Sequence, residues 1–433
     1  MSGPMLEDEH HGLWRAPTAS APIDAVAQVP GSKSVSNRAL ILSALARGPS
    51  VLRGPLRSRD TRLMVDGLRR MGASVRESEG GWRIVPGRLV GSASVDVGNA
   101  GTVMRFLPPV AALAAGDVSL DGDRRARERP LAPLLAGLRE LGATIDDGGR
   151  GALPLTVHGG GGLGGGAVTI DASSSSQLVS GLLLAAPRYD KGVEVRHEGS
   201  ALPSAPHIAM TVAMLRAAGA EVEVSPPNGW RVAPGPLRGG ETAVEPDLSN
   251  AAPFLGAALV TGGRVTVPRW PADTTQPGAV LPELLAAMGG TYELGPYGLT
   301  VRGPGTIRGI DVDLRDAGEL VPTIAGLAAF ADGPSRLRGV AHLRRHETDR
   351  LAALAREITG LGGDVRQGDD GLDIRPRPMS GGVFHTYDDH RLATTGALLG
   401  LAVEGVLVEN IATTGKTLPD FVELWTGILE DPR

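Results

Sequence analysis

There is no cysteine among the 433 residues. That absence excludes disulfides, cysteine-bearing zinc sites, iron–sulfur clusters and cysteine nucleophiles. Aromatic residues make up only 3% of the chain, so a core has to be assembled from Ala, Leu, Val and Ile. No apolar run reaches the ~18 residues at which a transmembrane helix is considered. Residues 1–14 lack the basic start and apolar stretch of a signal peptide. They are expected to form a flexible N-terminal extension of a cytoplasmic protein. Basic residues do not outnumber acidic ones. The net charge of −5 argues against nucleic acid or an anionic membrane as the main partner.

Lysine is nearly absent. Of 43 Lys and Arg side chains, only Lys33, Lys191 and Lys416 are lysines. Arginine fills the ordinary cationic roles, so a retained lysine is a candidate for chemistry that needs a compact, tunable ammonium rather than a planar fork. Lys191 lies in YDKG and reads as a turn residue.

What is present is a globular composition, 42% apolar and 21% charged, long enough for two large domains. Two helix patterns alternate along it. The first closes near Gly48, Gly116, Gly192, Gly263, Gly333 and Gly405 and runs into a strand-like stretch. The second ends in segments such as LRRMGASV, LRELGATI and ITGLGGDV, also followed by strand patterns. Six copies recur at about 70 residues, a period too long for a solenoid and best divided into two domains of three. The Pro/Gly-rich run from Pro234 to Pro246 marks the boundary. The poly-Gly run from Gly159 to Gly166 is a loop and carries no dinucleotide signal.

The first helix of each copy is preceded by a polar cluster: PGSKSVSNR (Pro30 to Arg38), GNAGTVMR (Gly98 to Arg105), SSSSQ (Ser173 to Gln177), DLSN (Asp247 to Asn250), RDAGELVPT (Arg315 to Thr323) and YDDHR (Tyr387 to Arg391). Ser, Asn, Asp and Thr there are ordinary N-caps, and DLSN reads as nothing more. Lys33, Arg38, Arg105 and Arg391 are different. They place positive charge where the helix dipole disfavours it. Exposed N–H groups and a cation together form an anion site. ARERP adds Arg127 and Arg129, RRHETDR adds His346, Glu347, Asp349 and Arg350, and TTGKTLPD adds Lys416. HETDR lacks the second His of a zinc-protease motif, and GSKS lacks the spacing of a P-loop. On a helix, Glu347 and Arg350 would form an i,i+3 surface pair.

PGSKSVSNR, GNAGTVMR, SSQ, ETDR and DHR, in this order, resemble the enolpyruvyl transferases, and within them the shikimate-pathway branch. The resemblance covers about residues 15 to 430. It implies an α/β fold: a two-domain inside-out α/β barrel, or prism, each domain three βαβαββ repeats. One domain would span residues 31–240 and the other 15–30 with 241–433, the active site lying in the cleft between them. It implies transfer of the enolpyruvyl group of phosphoenolpyruvate to the 5-hydroxyl of 3-phosphoshikimate with release of phosphate, without metal or organic cofactor. Partners would be these small molecules alone, with no nucleic acid and no membrane, and the enzyme is expected to be a monomer. Substrates carrying roughly five to six negative charges match the seven cations Lys33, Arg38, Arg105, Arg129, Arg350, Arg391 and Lys416.

By motif, the resemblance assigns 3-phosphoshikimate to Lys33, Ser34, Arg38, Ser175, Ser176, Gln177, Ser204, Glu319 and His346. It assigns phosphoenolpyruvate to Lys33, Gly101, Arg129, Gln177, Arg350, Arg391 and Lys416. The catalytic set would be Glu319, Glu347, Lys33 and Lys416. Glu347 would deliver the proton to C3 of the enol and Glu319 would take the hydroxyl proton. Glu319 replaces a usual Asp, with Asp316 three residues upstream. His346 stands where Lys is frequent, His342 where Asn is frequent and His207 where Tyr is frequent, and Phe106 follows the second motif where Pro is common. His346 would lose its charge above neutral pH, so substrate affinity is expected to fall through pH 6–8. The rival branch of the family, acting on UDP-N-acetylglucosamine, usually carries a loop Cys that this chain lacks. A nucleic-acid module on the same repeat would want bases to stack on aromatics, which are scarce here.

Overall fold

The computed structural model describes residues 12–430. It divides into a continuous unit, Pro30–Glu245, and a divided unit, Met1–Val29 with Pro246–Arg433. The continuous unit carries helices α1 (Lys33–Leu45), α2 (Arg59–Arg70), α3 (Gly101–Ala111), α4 (Ala132–Glu140), α5 (Gln177–Ala185) and α6 (Pro206–Ala217). The divided unit carries α7 (Leu248–Thr261), α8 (Leu281–Ala287), α9 (Val321–Ala328), α10 (Arg350–Gly360), α11 (His390–Gly400) and α12 (Phe421–Glu430).

The continuous unit has three four-stranded sheets of one topology. In the first, Ser50–Arg53 pairs in parallel with Glu241–Ala243 and antiparallel with Gly81–Val85, which pairs with Ser74–Ser78. The sheets built on Ala115–Asp121 and on Val193–His197 repeat this order. The divided unit repeats it around Arg264–Pro268 and Ser335–Arg338. Its third sheet has three strands, Leu13–Arg15, Leu407–Glu409 and Val383–Phe384. Each helix of the first sequence pattern leads into the central parallel strand, and each second helix down to α10 leads into an antiparallel one. The α/β fold of two sets of three repeated units is therefore present; five repeats have all four strands, and among the described residues the sixth has three, with Leu13–Arg15 as its antiparallel strand.

Residue patterning explains the layers. Helices α1, α3 and α5 are apolar around most of their circumference, and α3 is buried along its whole length. Such helices have to sit inside. They pack on one another, and the sheets lie around them. Helix α2 is amphipathic, burying Met64, Val65 and Leu68 while Arg62, Asp66, Arg69 and Arg70 face solvent. The strand Gly81–Val85 buries Trp82 and Ile84 and exposes Arg83 and Val85, the alternation of a sheet wet on one face.

Three expectations change. Residues 1–11 lie outside the described residues, but Leu13–Arg15 pair with Leu407–Glu409, so the extension does not reach residue 14. Glu241–Ala243 complete a sheet of the continuous unit, which moves the boundary from 240/241 to 245/246. Glycine closes only one helix of the first pattern, α7, at Gly262 (φ 67°). Gly116, Gly192 and Gly405 are left-handed but lie beyond their helix ends, and a left-handed glycine also follows each second helix down to α10. Gly72, Gly142, Gly219, Gly289 and Gly362 all have φ between 89° and 107°, where the chain turns sharply into a strand.

Candidate active site

In the continuous unit the first-pattern helices begin with the polar clusters. Ser32 caps α1 by accepting from Val35 N, which makes Lys33 the first helical residue. Lys33 Nζ lies 3.3 Å from Asp60 Oδ2, and Asp60 is buried. Asn37 Nδ2 donates to Thr102 Oγ1 at 2.6 Å, tying α1 to α3. Gly101 opens α3, and a Cβ there would come 2.8 Å from Arg129 Nη2 and 3.0 Å from both Arg105 Nη1 and Gln177 Oε1. Arg105 Nη1 donates to Gln177 Oε1 at 2.9 Å, and Arg129 Nη1 donates to the backbone and side-chain oxygens of Asn99. Two buried guanidinium groups and an amide thus ring a backbone position with no side chain, at the start of a helix. That arrangement suits a carboxylate or phosphate approaching the backbone closely.

Arg38, which the resemblance assigns to 3-phosphoshikimate, is fully buried. Its guanidinium donates to Thr211 Oγ1, Ser180 Oγ and the carbonyls of Ser34 and His207, and stacks on Phe106 at 5.2 Å. An arginine held by four neutral oxygens and an aromatic face braces the segments bearing Ser34 and His207. Ser175 Oγ accepts from Gln177 N, Ser176 is buried at the start of α5, and Ser204 adopts a left-handed φ of 53° just before α6. Lys191 is an exposed turn residue, as its sequence context indicates.

In the divided unit the polar clusters meet around Arg350, which opens α10 after the Asp349 cap. Arg350 Nε and Nη2 form a fork on Asp389, at 2.8 and 3.2 Å, and Nη2 also reaches Glu347 Oε2 at 3.0 Å. Glu347 Oε1 accepts from Lys416 Nζ at 3.0 Å. The expected Glu347–Arg350 pair exists, but both side chains are less than a tenth exposed and the helix starts only at Arg350. Burial alone would lower Arg350, yet Asp389 and Glu347 outweigh it and hold the guanidinium above its ordinary value. Asp389 also accepts from Arg391 N, capping α11. Arg391 then donates to Ser249 O and Ser249 Oγ, both at 2.7 Å.

His342 and His346 face each other with ring centroids 5.6 Å apart. Burial first, then the Arg350 charge, push His342 down to about 4, so it is neutral at neutral pH. Glu319 opposes that shift more strongly than Asp316 and also acts on Arg350, which places it with this cluster. Arg350 Nη1 lies 3.2 Å from His346 Nδ1. A guanidinium only donates, so Nδ1 accepts and the ring carries its proton on Nε2.

The structure thus brings Glu319, His346, Glu347, Arg350, Arg391 and Lys416 together in one unit, and places Lys33, Ser34, Gly101, Ser175, Ser176, Gln177 and Ser204 at helix starts of the other, with Arg129 at the end of the 3-10 turn Arg124–Glu128. Four residues went unread. Asp389 sat inside a quoted motif, visible as an acid directly before a helix that opens with His-Arg. Ser249 sat inside DLSN. Asp247 does cap α7 there, but it also accepts from Ser249 Oγ, which holds Arg391. Asn99 lies inside GNAGTVMR, and Asp60 has no signal beyond lying near a cation.

Buried cations at helix starts, beside a carboxylate shared by two of them, define a protein built to bind polyanionic small molecules and to move protons on them. The comparisons give that class a family. Residues 17–425 match the model of EPSP synthase (3-phosphoshikimate 1-carboxyvinyltransferase). A 3-phosphoshikimate 1-carboxyvinyltransferase of Kocuria rhizophila is 52% identical over 98% of both chains. Structures of EPSP synthase from Acinetobacter baumannii superpose with a TM-score of 0.79 at 27% identity, covering 96% of this chain and 97% of theirs. The chain belongs to the EPSP synthase family.

Proposed function

We propose that this chain transfers the enolpyruvyl group of phosphoenolpyruvate to the 5-hydroxyl of 3-phosphoshikimate, releasing phosphate, as the family to which it belongs does. The observation that carries the residue assignment is Glu347, buried and bridging Lys416 and Arg350 at 3.0 Å each. A proton passed between Lys416 and Glu347 and delivered to C3 makes C2 of the enol electrophilic. The 5-hydroxyl then attacks C2, its proton going to Glu319. Loss of the C3 proton back to the same pair expels phosphate and restores the vinyl double bond. Arg350, Arg391 and the Gly101–Arg129–Gln177 ring hold the carboxylate and phosphate of phosphoenolpyruvate. Lys33, Ser34, Ser175, Ser176, Gln177 and Ser204, with His346 and Glu319, hold 3-phosphoshikimate, and Arg38 acts by fixing Ser34. The reading is of a cytoplasmic monomer working on free metabolites. Among the described residues, no helix is long and apolar enough to cross a membrane.

The test is phosphate release from phosphoenolpyruvate with either 3-phosphoshikimate or UDP-N-acetylglucosamine as acceptor. Release with the first only is expected. Absence of release with 3-phosphoshikimate refutes the assignment.

A further inference from the structure

The segment that delivers Asp389 to Arg350 and Arg391 is built on an uncommon backbone. Tyr387 and Asp388, consecutive and neither of them glycine, have φ of 53° and 56°. Left-handed non-glycine residues persist only where their surroundings hold them, and an aromatic one is the less tolerated of the two. Glu357, on α10 two turns beyond Arg350, is 4% exposed. Its carboxylate does not face the reacting cluster. Oε1 accepts from Tyr387 Oη at 2.5 Å, and Oε2 accepts from His385 N at 2.9 Å. One buried side chain thus grips the turn on both sides of Thr386. Burial, then Glu357, hold the Tyr387 phenol above its ordinary value, so it keeps the proton it donates. Arg356, the neighbour of Glu357, lies over the Tyr387 ring at 6.0 Å. Asp388 Oδ1 accepts from Asn410 Nδ2 at 2.7 Å, and Asn410, itself left-handed at φ 45°, precedes the 3-10 turn that ends in Lys416.

We infer that Glu357 is a positioning residue for the phosphoenolpyruvate-binding arginines. It clamps the left-handed Tyr387–Asp388 turn and so fixes Asp389, the shared partner of Arg350 and of the start of α11. Through Asp388 and Asn410 the same clamp reaches the segment bearing Lys416. No contact of Glu357 with substrate is involved. The inference rests on the assignment of Arg350 and Arg391 to phosphoenolpyruvate, which the proposed function makes.

The test is steady-state kinetics of the full chain with both substrates varied. Glu357→Ala is expected to raise KM for phosphoenolpyruvate about tenfold or more, the cost of misplacing groups that orient substrate, while KM for 3-phosphoshikimate moves less than about twofold. Glu357→Gln can accept from His385 N and donate to Tyr387 Oη, so it should stay near wild type. If Glu357→Ala is insoluble, Tyr387→Phe, lacking only the hydroxyl, should show a smaller rise of the same selectivity. An unchanged KM for phosphoenolpyruvate in the variant measured overturns the inference. So does an equal rise for both substrates. Arg350→Lys and Arg391→Lys are the controls: if they leave KM for phosphoenolpyruvate unchanged, the assignment of the cluster fails, and not only the clamp.

Discussion

The two units hold their buried cations by different means. Within the continuous unit, Arg38, Arg105 and Arg129 donate to hydroxyls, carbonyls and amide oxygens. Within the divided unit, Arg350 and Lys416 donate to carboxylates, Asp389 and Glu347. Neutral oxygens orient a guanidinium without adding a group that titrates. Carboxylates offset the charge and add groups that accept and release protons. Orientation of fixed cations suits binding by the first unit, and the second adds carboxylates suited to proton transfer. Lys33, paired with Asp60, and Arg391, which donates to Ser249, depart from this division.

Removing charge is expected to hurt the divided unit more. Arg350→Ala leaves Asp389 and Glu347 buried without their main partner, a change expected to cost about 3–5 kcal/mol in urea unfolding. The division is sharpened by Lys416→Arg and Lys33→Arg, which keep the charge but lose the tunable ammonium. Both should fold normally, and turnover should fall about a hundredfold for Lys416→Arg. Normal turnover in both would show that lysine is not retained for its chemistry.

Next in size is a pH effect. His342 is held near 4 in the folded chain against an ordinary 6.5, so its neutral form is the one that stabilises the fold. That contribution is complete above about pH 6.5 and is lost as pH falls toward 4, about 3 kcal/mol in all. His342→Asn should flatten the stability profile between those limits, and an unchanged slope contradicts the shift. Gly101→Ala pushes on the flexible ends of Arg105, Arg129 and Gln177 and should raise KM for phosphoenolpyruvate about tenfold with little change in Tm. At the small end, Arg127→Ala removes a pair with Asp121 in which both side chains are about half exposed, and neither Tm nor kcat should move.

Much of this was legible from the residues. The two alternating helix patterns mark eleven helix–strand joins, because period 3.6 and period 2 are imposed by which face each element buries. The family motifs locate nearly every cation of the site. What could not be read is pairing that depends on distant segments. Nothing around Arg38 signals that Thr211 and Ser180 will bury it. Glu241–Ala243 look like linker because a three-residue strand has no periodicity of its own. The Glu357 clamp joins residues 28 and 30 positions apart across a turn whose left-handed backbone has no glycine to announce it.

The division of labour is tested most directly by calorimetric titration of 3-phosphoshikimate, without phosphoenolpyruvate, into Glu347→Gln alongside its turnover. The account expects a Kd within about threefold of wild type while kcat falls by at least about a hundredfold. Loss of 3-phosphoshikimate binding in step with turnover would contradict it.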